Sequence, residues 1–389
     1  MKELELYLHI PFCVRKCLYC DFLSAPSSEE VRSAYMQQMH KEMDMLSQNY
    51  KDYQISSVFI GGGTPSLLLP EQIERLMEQI YRCFAVLPDA EITMECNPGT
   101  VDADKMRACL HSGINRLSFG LQSADAEELK LLGRIHTYEQ FVSNYELARS
   151  IGFQNINVDM ISALPGQKIS TYEQTVQKIA ALRPEHISSY SLMIEEGTPF
   201  FERYSQALYL REKGKEQHLL PAEEEEREMY DLTKRLLKNA GYDRYEISNY
   251  ALDGFACRHN TGYWVRRNYL GIGLGAASLV ENARFSNTSD LKEYLRADFV
   301  HGPGAGGGKI QLSLKEQMEE FMFLGLRMMC GVSSEQFYLQ FSRTIEEVYG
   351  EVLREQLHSD LIRKTKDGYC LTDYGIDISN YVMAQYLME

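Results

Sequence analysis

Residues 5–20 read ELYLHIPFCVRKCLYC: a short alternating apolar stretch that stops at Pro11 and gives way to Cys13, Cys17 and Cys20 within eight positions. The first part reads as a strand, so the cysteines lie on the loop at its C-terminal end, where α/β proteins place their chemistry. A structural zinc ion wants four ligands, often as two CxxC pairs, and no second pair stands at a suitable spacing. A redox CxxC needs only two thiols. Three thiolates suit a [4Fe–4S] cube held at three irons, with the fourth iron left open for a substrate or cofactor. Zinc with a distant fourth ligand, or three unrelated cysteines, are the competing readings.

The chain continues as a regular alternation. SSEEVRSAYMQQMHKEMDML (27–46) predicts a helix capped by Ser27 or Ser28, with acidic residues in its first turn. Apolar residues 57–60 run as a strand into the turn GGGTP, and Pro70 opens the next helix. Strand patterns recur near 91–95, 115–119, 156–161 and 186–192, with helical patterns near 103–111, 125–132, 138–150 and 170–181. About six β/α units predict a parallel sheet covered by helices. Six rather than eight predict an incomplete (β/α)6 barrel of the TIM-like kind, open on one side. Residues 221–241 read as an exposed helix, and 242–280 as strands and turns that extend the sheet. HGPGAGGG (301–308), with six Gly or Pro, reads as a linker. Beyond it, helices and a hairpin turning at Asp367-Gly368 predict a small, mostly helical, winged-helix-like domain. The expected division is 1–210, 211–300 and 301–389.

Bulk properties limit the partners. The 389 residues carry a net charge of −15, and from Lys309 onward 8 Lys plus Arg stand against 13 Asp plus Glu, a net of −5. Nucleic acid as a main partner is not expected on either count. The sequence contains no run of some 18 apolar residues and no signal peptide, so the expected compartment is the cytoplasm, with at most peripheral membrane contact. The odd total of nine cysteines argues against a disulfide framework. Cys83, Cys96, Cys109, Cys330 and Cys370 are expected to be buried and inert.

Together YLHIPFCVRKCLYC and the motifs downstream resemble the radical S-adenosylmethionine (SAM) superfamily, and within it the oxygen-independent coproporphyrinogen III oxidase group and its heme-chaperone branch. The likeness covers essentially the whole chain. It implies a radical SAM partial barrel with a [4Fe–4S] cluster on Cys13, Cys17 and Cys20 and SAM chelated at the fourth iron. By the same resemblance Tyr7 and Tyr19 flank SAM, and Gly61, Gly62, Gly63 and Thr64 run along its amino end. Glu95, Gln122, Arg134 and Asp159 supply polar contacts. Ser162 and Ala163 depart from the group's usual aromatic and glycine. Two further departures point to the chaperone branch: Phe22 stands where the oxidases carry an additional cysteine, and the cluster begins at residue 13, without the oxidases' longer N-terminal arm. CRHNTGYW (257–264) matches the branch's HNxxYW motif linked to heme, so His259, Tyr263 and Trp264 are expected heme contacts, with Cys257 as an alternative iron ligand. The implied function is heme delivery to acceptor hemoproteins, with an electron donor such as flavodoxin or ferredoxin. The alternative is oxidative decarboxylation of coproporphyrinogen propionates, so whether the chain is an enzyme stays open.

Overall fold

A computed structural model describes residues 1–299 and 308–388. The Gly- and Pro-rich stretch read as a linker lies, except for Gly308, outside the described residues. Six parallel strands form the frame: β1 (Lys2–Ile10), β2 (Tyr53–Gly62), β3 (Ala85–Cys96), β4 (Arg116–Gln122), β5 (Ile156–Ser162) and β6 (His186–Ser191). Between them run helices α1 (Glu29–Leu46), α2 (Pro70–Cys83), α3 (Ala103–His111), α4 (Ala126–Leu131), α5 (Tyr138–Ile151) and α6 (Ile169–Leu182). Local chemistry sets their starts: Ser28, Asp102, Asp125 and Thr137 each accept a backbone N–H of the first turn.

The strands alternate with period two, and the alternation makes two different interiors. Leu4, Leu6, Leu8 and Ile10 of β1, Val58 and Ile60 of β2, and Leu117, Phe119 and Leu121 of β4 face the helices and belong to one apolar core. The intervening residues face inward across the sheet. They include Glu5, Ser57, Glu91, Thr93, Arg116, Asn157 and His186, all buried. The barrel lumen is therefore polar, filled by hydrogen-bonded side chains rather than by aliphatic layers.

After β6 come α7 (Pro199–Glu212) and α8 (Glu223–Asn239), then short strands β7 (Asp243–Glu246) and β8 (Asn249–Ala251), helix α9 (Arg258–Trp264), strands β9 (Tyr269–Ile272), β10 (Ala277–Val280) and β11 (Ala283–Ser286), and helix α10 (Leu291–Arg296). The 242–280 region does extend the sheet, but the reading of it as strands and turns throughout is corrected by α9, which the HNxxYW residues form. The described strands join in the order β12-β11-β10-β9-β1-β2-β3-β4-β5-β6-β8-β7, where β12 is Ile310–Gln311. β1 pairs with β9, not with β6, so the six-stranded barrel does not close on itself.

The C-terminal part has its own core, which includes Met322, Phe337, Ile345 and Tyr386. Helices α11 (Leu314–Gly325), α12 (Ser334–Phe341) and α13 (Ile345–His358) pack around a three-stranded sheet of β13 (Val332–Ser333), β14 (Ile362–Lys364) and β15 (Gly368–Leu371). The hairpin is the one expected at Asp367-Gly368. Cys96, Cys109 and Cys370 are buried and Cys83 is half-buried, but Cys330 is exposed, because it precedes the turn at Gly331 (φ +72°) rather than lying inside β13.

Candidate functional site

Pro11 has no N–H to offer a neighbouring strand and β1 ends before it. Its carbonyl accepts Ala25 N at 3.0 Å and Cys13 N donates back to Ala25 O at 3.2 Å, closing the cysteine loop at its base. Gly63 N donates to Ile10 O at 2.8 Å and Thr64 N to Phe12 O at 2.7 Å, which ties the GGGTP turn to the same loop. On the far side Leu18 N donates to Leu132 O, and Phe200 N to Leu18 O, both at 3.0 Å. Backbone bonds to three separate segments thus fix where the three thiols stand.

Cys13, Cys17 and Cys20 are half-buried and line one cavity at the C-terminal ends of the strands. Tyr19, Gly62, Gly63, Thr64, Glu95, Gln122, Arg134 and Asp159 line it too. Tyr7 does not: it sits one layer down β1, its hydroxyl 3.0 Å from His9 Nδ1 and its ring stacked on Phe59. Thr64 Oγ1 donates to Cys13 Sγ and Arg134 Nη1 to Cys17 Sγ, each at 3.5 Å. Burial pushes the Cys20 thiol up, reinforced by Cys17 and Cys13. A metal is what would hold such a group as thiolate.

Glycine is required here for close approach. A Cβ on Gly62 (φ +111°) would lie 2.6 Å from the His9 ring, and one on Gly63 would lie 2.7 Å from Phe12 O. Two carboxyls face the cavity from β3 and β5. Burial, then Asp159, raises Glu95 to about 7, although Gly62 N donates to it at 3.0 Å. Burial likewise raises Asp159, which accepts Asn157 Nδ2 at 2.7 Å. Buried carboxyls that face a cavity suit a cationic or hydroxyl-bearing ligand. Three thiols, a side-chain-free wall and this carboxyl pair together fit a three-thiolate cluster beside a ligand of that chemistry.

Two contributors, His9 and Asn97, were not among the expected site residues. His9 bonds Leu23 O through Nε2 at 2.8 Å and faces Tyr7 through Nδ1, so it braces both ends of the cysteine loop from below. Asn97 accepts Arg134 Nη2 at 3.0 Å, and Arg134 also donates to Gly120 O, which aims that guanidinium at Cys17. The readable signal was the strand alternation, which points His9 inward with Tyr7.

The HNxxYW residues lie elsewhere, at the other end of the lumen. His259 is 1% exposed; its Nδ1 is 2.8 Å from Ser57 Oγ, its Nε2 is 3.0 Å from the Tyr263 hydroxyl, and its ring stacks on Phe59 at 5.2 Å. Burial, then Arg116, pushes the imidazole down to about 3, so it is neutral with both nitrogens engaged. Cys257 is wholly buried, its thiol pushed up to about 12 by burial, with Sγ donating to Glu91 Oε1 at 3.4 Å. Trp264 lies under the Arg327 guanidinium at 4.3 Å. As arranged, these residues do not fit a heme: no ring nitrogen or thiolate is open to an iron.

Comparison with known proteins places both parts of the chain. The radical SAM superfamily model matches residues 7–179, and the HemN C-terminal domain model matches residues 312–378. The heme chaperone HemW of Lactococcus lactis is 35% identical, across 100% of this chain and 98% of that protein. HemW of Bacillus subtilis is 34% identical, across 98% and 99%. HemW of Escherichia coli is 31% identical, across 100% and 99%. In structure, the radical SAM enzyme coproporphyrinogen III oxidase (HemN) of Escherichia coli superposes with a TM-score of 0.83 over 100% of this chain and 90% of that one, at 22% identity, a likeness of fold. With relatives this similar over its full length, the chain belongs to the heme chaperone HemW family of the radical SAM superfamily.

Proposed function

We propose that this protein is a heme chaperone, carrying a [4Fe–4S] cluster and SAM in the cavity at the barrel mouth and passing heme to acceptor hemoproteins. The observation that carries the reading is the similarity to HemW proteins along the whole chain, including the C-terminal part. Cys13, Cys17 and Cys20 would hold the cluster. Tyr19, Gly62, Gly63, Thr64, Glu95, Gln122, Arg134 and Asp159 would surround SAM, with Tyr7 acting through His9. When bound, such a pair supplies one-electron chemistry at a carbon–sulfur bond. The chain's own part is to position: Gly62 and Gly63 let backbone meet the ligand, Glu95 and Asp159 present carboxyls to its amine or hydroxyls, and Arg134 screens the thiolates.

An electron donor such as flavodoxin or ferredoxin belongs to this reading, as do the cytoplasm and a peripheral encounter with membrane-bound acceptors. No helix among the described residues is long and apolar enough to cross a membrane. Coproporphyrinogen decarboxylation is the second reading. It has the HemN-like fold in its favour, whereas Phe22 in the place of the oxidases' extra cysteine weighs against it. Anaerobic reconstitution followed by a heme titration and a coproporphyrinogen assay separates the two. A saturable Soret band without vinyl product is expected; vinyl product with no band would replace the proposal by the second reading.

A further inference from the structure

Arg116, the first residue of β4, is wholly buried in the middle of the lumen. A guanidinium carries five N–H donors, and buried charges are paired as a rule. Arg266, for comparison, is held by Glu320 at 3.0 Å. Among the described residues Arg116 forms no ion pair; Nη1 donates to Thr93 Oγ1 at a long 3.5 Å, and Nε has no partner. Burial works against its charge, but Cys257, Glu91, Tyr245 and Asp159 around it outweigh burial and keep it positive. An unpaired buried cation is costly, so its place in the fold needs a reason.

Register supplies one. Thr93 pairs with Arg116 and Glu95 with Ser118, so Arg116 lies one inward position below Glu95 and Ser118. Those two residues and Asp159 line the cavity at the barrel mouth. Ser118 Oγ and Asp159 Oδ1 both accept Asn157 Nδ2, at 2.8 and 2.7 Å, and these bonds form the cavity floor. Burial disfavours the charged form of both carboxyls, and Arg116 favours it. A guanidinium in direct contact would occupy carboxylate oxygens. One set a layer lower lends its field and leaves those oxygens open.

We propose that Arg116 is a positioning residue for SAM: it is the buried counter-charge for Glu95 and Asp159, placed so that their oxygens stay free for the ligand's cationic groups. The inference rests on the reading of the cavity as a SAM site. The other groups facing the two carboxyls are Tyr7 from β1, Tyr190 from β6, and Tyr19 and Arg134 from the loops. Burial raises all three tyrosines, so they stay neutral. His186 and His259 also face Arg116, and burial followed by Arg116 lowers both, so they are neutral too. Arg134 is engaged at the mouth with Cys17 and Asn97. Loss of Arg116 therefore leaves the carboxyl pair to protonate at a higher pH than in wild type.

The test is calorimetric titration of anaerobically reconstituted protein with SAM, at about pH 6.5 and about pH 8.5, either side of the neutral range to which Glu95 is raised. The ratio of variant to wild-type affinity at each pH cancels the ligand's own titration. Arg116→Met should bind SAM about tenfold more weakly than wild type at the lower pH, the equivalent of one pKa unit. At the upper pH it should bind as tightly as wild type or tighter, because both carboxyls ionise there unaided and a cation facing the ligand is gone. Arg116→Lys should restore most of the affinity at the lower pH. Cluster absorbance checks that each variant folds, and Arg116→Gln carries the same test if Arg116→Met takes up no cluster. An equal loss at both pH values, no loss at either, or no rescue by lysine would overturn the role of Arg116 and leave the SAM site standing. Wild type that binds no SAM would sink both.

Discussion

Replacing Gly62 by alanine should loosen the cysteine loop without touching a cysteine. Two terms set the size. At φ +111° a side chain is strained, at about 1–3 kcal/mol. The new methyl would also stand 2.6 Å from His9 Cε1 and Nδ1, and His9 cannot yield freely, since it is held at 3.0 Å by Tyr7 and at 2.8 Å by Leu23 O. Moving the ring gives up one or both bonds, at about 0.5–1.5 kcal/mol each. The expected loss is about 1.5–6 kcal/mol, concentrated where residues 11–25 meet β1. Gly166→Ala is the control: its φ is +71° but nothing lies within 4 Å of a new Cβ, so it reads the backbone term alone, about 1–2 kcal/mol. Anaerobic urea titration gives both values, and iron content after reconstitution gives the consequence for the loop. If Gly62→Ala were no worse than Gly166→Ala and took up iron like wild type, the claim that His9 braces the loop would be wrong.

Further outcomes follow from other parts of the fold. Glu42 is wholly buried and accepts Tyr294 Oη at 2.6 Å, Asn287 Nδ2 at 2.5 Å and Gly273 N at 2.9 Å, yet burial raises it from 4.5 to about 7. Its neutral form is the favoured one in the fold, so its contribution is full below pH 4.5 and is lost as pH rises toward 7, by about 3 kcal/mol; Glu42→Gln should flatten that part of a stability–pH curve measured by urea unfolding, and an unchanged slope would refute it. Cys13→Ser, Cys17→Ser and Cys20→Ser should each abolish the iron–sulfur absorbance, whereas Cys83→Ser should keep it; an intact spectrum in any of the first three removes that residue from the ligand set. Phe337 is wholly buried against Phe321, Phe341 and Tyr349, so Phe337→Ala should destabilise the C-terminal core by about 3–5 kcal/mol in thermal or urea unfolding.

Much of the frame was legible because its signals are local. The helix starts at Ser28, Asp102 and Thr137 are capping residues three places before their partners, and the six strands show in runs of apolar residues. The cysteine loop was legible for the same reason, being a spacing within eight positions. What escaped was non-local. α9 is a seven-residue helix containing Gly262, with no apolar periodicity, and its capping carboxylate is Glu91, more than 160 positions earlier. Nothing adjacent in sequence announces it. The partners of His259 escaped for a related reason: the motif alone does not show Ser57 and Phe59, which enclose it only once the strands are assembled. Glu5, Glu91, Arg116 and His186 lie within stretches read as strands, but that they face the lumen, and which polar residues meet there, depends on register.

The C-terminal part is sewn to the barrel at two distant places. Ile310–Gln311 continues the sheet beyond β11, and Met328 bridges Glu246 beside β7, the opposite margin. The one segment thus covers both raw borders of a sheet that never meets itself. A chain ending near residue 308 would uncover the two borders together, and clumping through strand-to-strand addition would follow, which makes the C-terminal segment a guard of solubility as much as a module of function.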